Sequence, residues 1–420
     1  MFRFLEEKFV PVAARIGNQR HLVAIRDGFI TVMPLTIIGS LAVLINNLPI
    51  KFYQKALDSI WEHGTWTQWG GNMWGATFGI ISLLLAFSIA YHLAKSYDKD
   101  GLSAGVIGLS SYLTFGTFGE GGLSGLTTGT GGIFVAIIIA LLSSEVFSRL
   151  SGKRKLLIKM PDSVPPAVSK SFAALLPAMI TVALFALVRT IISAGFTIPD
   201  IIGSFYSTVQ EPFMGLTNTW AAALILAFIP AFLWTLGIHG GNIIDPFMQS
   251  INLQAIEANV AAISAGDVAP YIINKPFFDA FVNMGGAGTT IALIIAIFII
   301  GRKNKQYRTV GNLSAAPGIF NINEPLLFGL PIVLNPILFI PFILTPMINV
   351  SIAYFVTKWG MVPAATIAIP WTTPPIINGF LVTQSWQGAV LSFVLIVISV
   401  CIYLPFVAMA NRTAKMKEAK

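Results

Sequence analysis

The sequence predicts an all-α polytopic membrane protein with about ten transmembrane helices, two re-entrant hairpins and amphipathic helices on the membrane surface. Three observations carry that prediction. Of 420 residues, 55% are apolar and only 10% charged, whereas a soluble domain carries about a quarter charged residues. A soluble fold of this chain would lack the polar residues to coat itself. Runs of roughly twenty apolar residues recur throughout, the length that crosses a ~30 Å hydrocarbon core as a helix. The basic residues gather between and beyond those runs: 18 of the 26 lie in 3–26, 149–159, 302–308 and 412–420. That is the pattern of the positive-inside rule, so the net charge of +8 does not imply nucleic acid as a partner.

Taken in order, residues 2–16 put Phe2, Leu5, Phe9, Val12 and Ile16 on one helical stripe, which predicts a helix lying on the membrane. Acids at Glu6 and Glu7, with no small-residue cleavage site, exclude a cleaved signal peptide. Spans follow at about 28–48, 72–94, 102–116, 131–148 and 171–195, with the N-terminus and the 149–170 loop cytoplasmic. Residues 51–70, bearing Trp and Lys, suit the external headgroup layer. Gly116–Gly132 reads as a flexible external loop, because a phosphate cradle needs a Lys-Ser/Thr and helix context that it lacks. Residues 1–195 thus form a scaffold and dimerisation half, and 196–216 an amphipathic connector.

Residues 217–411 are the expected substrate-binding transport half, with spans near 217–237, 285–301, 337–357, 361–380 and 386–409. Between them, 238–284 and 312–336 are moderately apolar but interrupted by Gly, Asn, Asp and Pro. Irregular backbone at membrane depth is tolerated only where protein buries it or it lines a cavity. Interrupted apolar segments are the sequence pointer to a transporter's binding site, so both are read as re-entrant. Residues 412–420 form a basic tail, cytoplasmic together with the N-terminus. Ten spans leave 302–308, with four basic residues, on the outside against the charge rule, so the side of that loop stays open.

The only cysteine, Cys401, excludes a disulfide, a Cys-based metal site and a Cys-phosphate relay within this chain. No His or Cys cluster suggests a metal, and no cofactor is expected. Glu324, in Asn321-Ile-Asn-Glu-Pro325, lies between apolar runs, where a carboxylate costs several kcal/mol unless solvated or paired. It is a functional candidate, the alternative being a cap on a broken helix. The flanking Asn amides offer donors and acceptors. His239, in Gly237-Ile-His-Gly-Gly241, is a candidate ligand contact or a satisfied core histidine; His21, His63 and His92 lie near predicted membrane boundaries. Trp234, Phe328 and Trp371 supply apolar faces. A carboxylate, an imidazole and aromatic faces suit a neutral sugar, whose C–H faces pack on rings while its hydroxyls need paired groups. Lys275 and Arg189 stand alone in the sequence; Arg189 reads as a packing or snorkelling residue.

Asn18-Gln-Arg-His-Leu-Val-Ala-Ile-Arg-Asp-Gly-Phe-Ile, Met33-Pro-Leu35, Gly237-Ile-His-Gly-Gly and Phe320-Asn-Ile-Asn-Glu-Pro-Leu-Leu-Phe-Gly resemble the enzyme IIC membrane subunit of the bacterial sugar phosphotransferase system. The likeness runs over essentially the whole chain and points to the lactose/cellobiose/N,N′-diacetylchitobiose branch. It implies a ten-span homodimer in the bacterial plasma membrane, with two re-entrant hairpins and alternating access by the C-terminal half. The disaccharide is phosphorylated by enzyme IIB, a phospho-cysteine donor served by enzyme IIA. By resemblance Glu324 faces the hydroxyl that receives the phosphoryl group, as its candidate base, and His239 hydrogen-bonds the same ring. Trp234 and Trp371 are pocket walls, and Asn283 a further polar contact. The chain carries no soluble phospho-cysteine domain, so IIB is expected as a separate protein docking near 149–170, and this chain alone is not an enzyme. The competing expectation is an ion-coupled secondary transporter with Glu324 as its proton site; a channel fits less well, for want of a selectivity-filter ring.

Overall fold

The computed structural model describes residues 11, 15 and 17–418 apart from 47–50, 62–64, 120, 159, 162–163, 302–303, 331, 333–334 and 336. The amphipathic helix expected over 2–16 falls almost wholly outside them. Among the described residues the fold is helical, with one two-residue ladder pairing Phe118–Gly119 with Gly122–Leu123. Among the described residues six helices are long and apolar enough to cross a membrane, or seven if Ile201–Thr217 and Trp220–Thr235 count as one broken span. Gly101–Leu113 and Thr290–Ile300 are shorter apolar helices.

The chain divides into two compact units. Among the described residues the first comprises 17–43 and 61–214, the second 44–60 and 215–418. The connector expected over 196–216 therefore packs with the first unit as far as Met214, and 44–60, expected in the scaffold half, groups with the second.

In chain order the longer helices of the first unit are α1 (Arg20–Asn46, whose last turn enters the second unit), α2 (Thr67–Gly75), α3 (Ile81–Lys95), α4 (Gly101–Leu113), α5 (Ile133–Leu150) and α6 (Pro166–Phe196). α3, α4 and α5 pack on one another through small residues: Ala86, Ala90 and Ala94, Ala104 and Gly108, Ala136 and Ala140. Small side chains let backbones approach where no hydrophobic force separates helix from lipid. Polar groups inside find carbonyls, as when Ser144 Oγ donates to Ala90 O at 2.8 Å and Tyr112 OH to Thr127 O at 2.6 Å. α6 is different. Only 17% of its apolar window is buried, and Met179, Leu187 and Ile191 are each more than half exposed. So large a bare apolar face belongs in hydrocarbon.

The second unit holds α7 (Trp220–Thr235), α8 (Gly240–Ser264), α9 (Lys275–Phe281), α10 (Thr290–Ile300), α11 (Lys305–Ile319), α12 (Glu324–Gly329), α13 (Phe339–Lys358), α14 (Ile377–Thr383) and α15 (Trp386–Glu418). One core joins them, with Phe277, Phe281, Phe342, Leu395 and Tyr403 wholly or almost wholly buried. α7 packs on α13, α10 on α11 and α15, and α14 on α9 and α15.

Two expectations need correction here. The span expected at 361–380 is not a helix: the chain runs irregularly from bends at Met361 and Val362 to α14. Pro363, Pro370, Pro374 and Pro375 lack the N–H that a helix interior requires. Its carbonyls are met by buried asparagines instead. Asn259 and Asn274 each donate from Nδ2 to Ala365 O at 3.0 Å, and Asn321 Nδ2 donates to Trp371 O and Thr373 O at 2.5 and 2.9 Å. Likewise 238–284 is not broken throughout, since α8 is a continuous helix of 25 residues. The polar residues that suggested interruption point sideways from it: Asn252 Oδ1 accepts from Lys275 N at 2.8 Å, and Asn259 bonds both N and O of Tyr271. The irregular stretches are 265–274 and 282–289.

Candidate functional site

Asparagines of the second unit assemble the site. Asn321 sits between α11 and α12 with φ +64°, a left-handed conformation that Asn tolerates because its short amide bonds locally. Its Oδ1 accepts from Gly285 N at 2.7 Å while Nδ2 reaches the carbonyls of Trp371 and Thr373. Asn323 Nδ2 donates to Ala287 O at 3.0 Å. Gly286 faces Asn323 so closely, with φ +101°, that a Cβ there would lie 2.5 Å from Asn323 Cγ. The turn 282–289, the break 320–323 and the segment around 371 are thereby tied at one place, every tie a buried amide with its partners met.

A ring contact brings in the end of α7. The Trp234 indole, almost fully buried, lies 4.5 Å centroid to centroid from the His239 imidazole, tilted by 50°. On its other side it meets Phe328 edge-on at 6.5 Å. Phe328 follows Glu324 by four residues on α12, so the two share a helical face. The two glycines after His239 have separate tasks. A Cβ on Gly240 would lie 2.3 Å from Pro230 O, so only glycine lets the start of α8 close on α7; Gly241 leaves room beside the His239 ring.

Glu324 opens α12 with Pro325 behind it. Its carboxylate is exposed, and no described residue hydrogen-bonds or ion-pairs with it. His239 is exposed as well; Asn283 is half-buried, two residues before Gly285. Trp371 is 41% exposed, its carbonyl held by Asn321. Trp234, His239 and the α12 face are thus in ring contact, whereas the Trp371 carbonyl and Gly285, two residues after Asn283, are tied to Asn321, three residues before Glu324. Lys275 is not isolated: its Nζ pairs with Asp279 Oδ2 at 2.6 Å, one turn along α9. Among the described residues no group of His, Cys, Asp and Glu could hold a metal. Carboxylate, imidazole and amide beside aromatic faces can order the hydroxyls and C–H faces of a neutral sugar. Sequence reasoning missed the structural roles of Asn321, Asn323 and Gly286; the signal was present in the two Asn bracketing Ile322 and in the glycine-rich 285–288.

The family described as "Phosphotransferase system, EIIC" matches residues 26–346. The lichenan permease IIC component of Bacillus subtilis (strain 168) is 41% identical over 434 residues, covering 99% of this chain and 94% of the relative. The cellobiose-specific EIIC component of Geobacillus stearothermophilus is 36% identical over 446 residues, covering 99% and 95%. The crystal structure of the transporter ChbC, the IIC component of an N,N′-diacetylchitobiose-specific phosphotransferase system, is 37% identical with a TM-score of 0.94, over 99% of each chain. By this match over most of its length and these relatives, the chain belongs to the phosphotransferase system EIIC family, the multi-pass membrane subunits that transport a sugar while a IIB component phosphorylates it.

Proposed function

We propose that this EIIC chain carries a β-linked disaccharide of the cellobiose or N,N′-diacetylchitobiose type and presents it to a separate IIB protein. The observation that supports this reading best is the exposed, unpartnered Glu324 carboxylate on the helical face that meets the Trp234–His239 pair. Relatives specific for cellobiose and diacetylchitobiose narrow the sugar class. Trp234 and Trp371 wall the sugar, Asn283 and His239 bond its hydroxyls, and Glu324 orients the hydroxyl that attacks phosphorus. In that step an O–P bond forms as the S–P bond to the IIB cysteine breaks, and the hydroxyl proton passes to the Glu324 carboxylate. The sugar phosphate released inside cannot leave, which makes uptake one-way. Both termini lie in the cytoplasm of a plasma-membrane homodimer surrounded by lipid, IIB docks near 149–170, and IIA recharges IIB.

The test is uptake of radiolabelled cellobiose and diacetylchitobiose into vesicles, with the phosphoenolpyruvate relay supplied or omitted and internal label separated by chromatography. Internal sugar appearing as its phosphate only with the relay supports the proposal. Free sugar accumulating against its gradient until an uncoupler is added would establish the ion-coupled reading instead.

A further inference from the structure

We propose that Pro374–Asn378 is a strained link that holds this conformation at raised energy and relaxes during the transport cycle, Ile376 returning to negative φ and the Asn378 amide turning to a partner. Two independent observations meet there. Ile376, at the entry to α14, has φ +75° and ψ −55°. That is the centre of a positive-φ γ-turn, a rare and strained conformation, and a β-branched side chain is an outlier in it. Asn378, two residues on, is wholly buried, and neither its Nδ2 nor its Oδ1 has a hydrogen-bond partner. Among the described residues of the second unit, no other buried carboxamide leaves both its nitrogen and its oxygen unmet. Asn259 and Asn321, by contrast, use both atoms.

The link is fixed at both ends. Upstream, Asn321 Nδ2 donates to the carbonyls of Trp371 and Thr373. Downstream, α14 is seated on α15: a Cβ on Gly379 would lie 2.5 Å from Gly388 O, so the two backbones touch. Thr366 N also donates to Val382 O, at 2.9 Å. Pro374 and Pro375 have φ set by their rings, so the change of direction between the anchors falls on Ile376. A strained residue and an unmet buried amide each persist only where the surrounding structure enforces them, and such strain gathers at switch regions. A transporter occupies at least two conformations, and a segment costly in one of them biases the equilibrium toward the other. Relaxation has a local signature. Asn378 N donates to Pro374 O at 2.9 Å across Ile376, whereas Phe380 N donates to Ile376 O at 3.0 Å from beyond it. Rotation about φ of Ile376 breaks the first bond and keeps the second.

The test uses the full-length protein, with hydrogen exchange read amide by amide and thermal denaturation followed in nanodiscs. Uptake of radiolabelled cellobiose and diacetylchitobiose is measured in vesicles with the relay supplied, and all internal label is counted, free or phosphorylated. In the wild type the Asn378 amide should exchange faster than that of Phe380. Ile376→Gly removes the strain, and because Ile376 is 38% exposed it gives up little packing. Asn378→Leu removes the unmet amide at similar shape. Each should slow exchange at 378 by about 5–150-fold, the shift that relief of one such outlier produces. Each should also raise the melting temperature by about 2–4 °C and lower uptake. Ile376→Val keeps the β-branch and the strain, and should show none of these changes. Equal exchange at 378 and 380 in the wild type overturns the proposal, and so does slowed exchange with wild-type uptake. If Asn378→Leu fails to fold, Ile376→Gly decides by the same three readings. Uptake of neither sugar by the wild type fails the disaccharide reading, and exchange and melting then decide the link by themselves.

Discussion

Replacing Asn321 tests whether one buried amide holds the site together. Alanine there removes an acceptor for Gly285 N and donors to the carbonyls of Trp371 and Thr373. Three hydrogen bonds at a net 0.5–1.5 kcal/mol each amount to about 1.5–4.5 kcal/mol. The backbone adds to this, since φ is +64° and a residue with a Cβ but no locally bonding amide pays roughly 1–2 kcal/mol there. Asn321→Ala should therefore cost about 2.5–6.5 kcal/mol in all. Asn321→Gly loses the same bonds without the conformational cost and should be the more stable by about 1 kcal/mol, the reverse of the Ala–Gly order in a helix or strand. The assay is denaturation in detergent alongside sugar binding, because the freed segments carry Trp371 and Asn283, two of the proposed sugar contacts. Alanine matching the wild type, or glycine falling below alanine, would refute the reasoning.

Four further outcomes can be checked the same way. Gly286→Ala places a Cβ 2.5 Å from Asn323 Cγ at φ +101°, and should destabilise by at least about 1–3 kcal/mol in the same denaturation assay. Asn259→Ala removes the partners of both backbone groups of Tyr271 and one of the two amide donors to Ala365 O, and should cost about 2–4 kcal/mol with faster proteolysis in 265–274. Asp279→Asn strips a buried ammonium of its ion-pair partner and should lose about 3–5 kcal/mol, while Lys275→Met with Asp279→Leu should recover most of it. Glu324→Gln should abolish sugar-phosphate formation in the complete relay yet keep measurable sugar binding; phosphorylation at the wild-type rate would remove Glu324 from its assigned role.

Much of this protein was legible locally. An apolar run of span length becomes a helix because its backbone must bond within itself in lipid, whatever lies elsewhere, and so α1, α5, α6, α13 and α15 stand where hydropathy put them. The Asn-Glu-Pro and His-Gly-Gly elements stand out for the same reason: an acid, a histidine and helix-breaking residues are anomalies within apolar sequence. The reading went wrong where apolar composition and helical backbone part company. Residues 361–380 look like a span by hydropathy, but their prolines leave carbonyls that no local donor can satisfy.

Those donors come from far along the chain. Asn259 and Asn274 reach Ala365 across 106 and 91 residues, Asn321 reaches Trp371 across 50, and Asn323 reaches Ala287 across 36. Hydropathy, span length and the chemistry of the candidate residues are properties of short windows, and the sequence alone specifies them. Which amide meets which carbonyl, and hence that Trp371 O and Gly285 N both bond Asn321 while the His239 ring lies tilted against Trp234, depends on pairings between remote segments. A buried amide is satisfied only when its particular partner arrives, and it is folding that brings the two together.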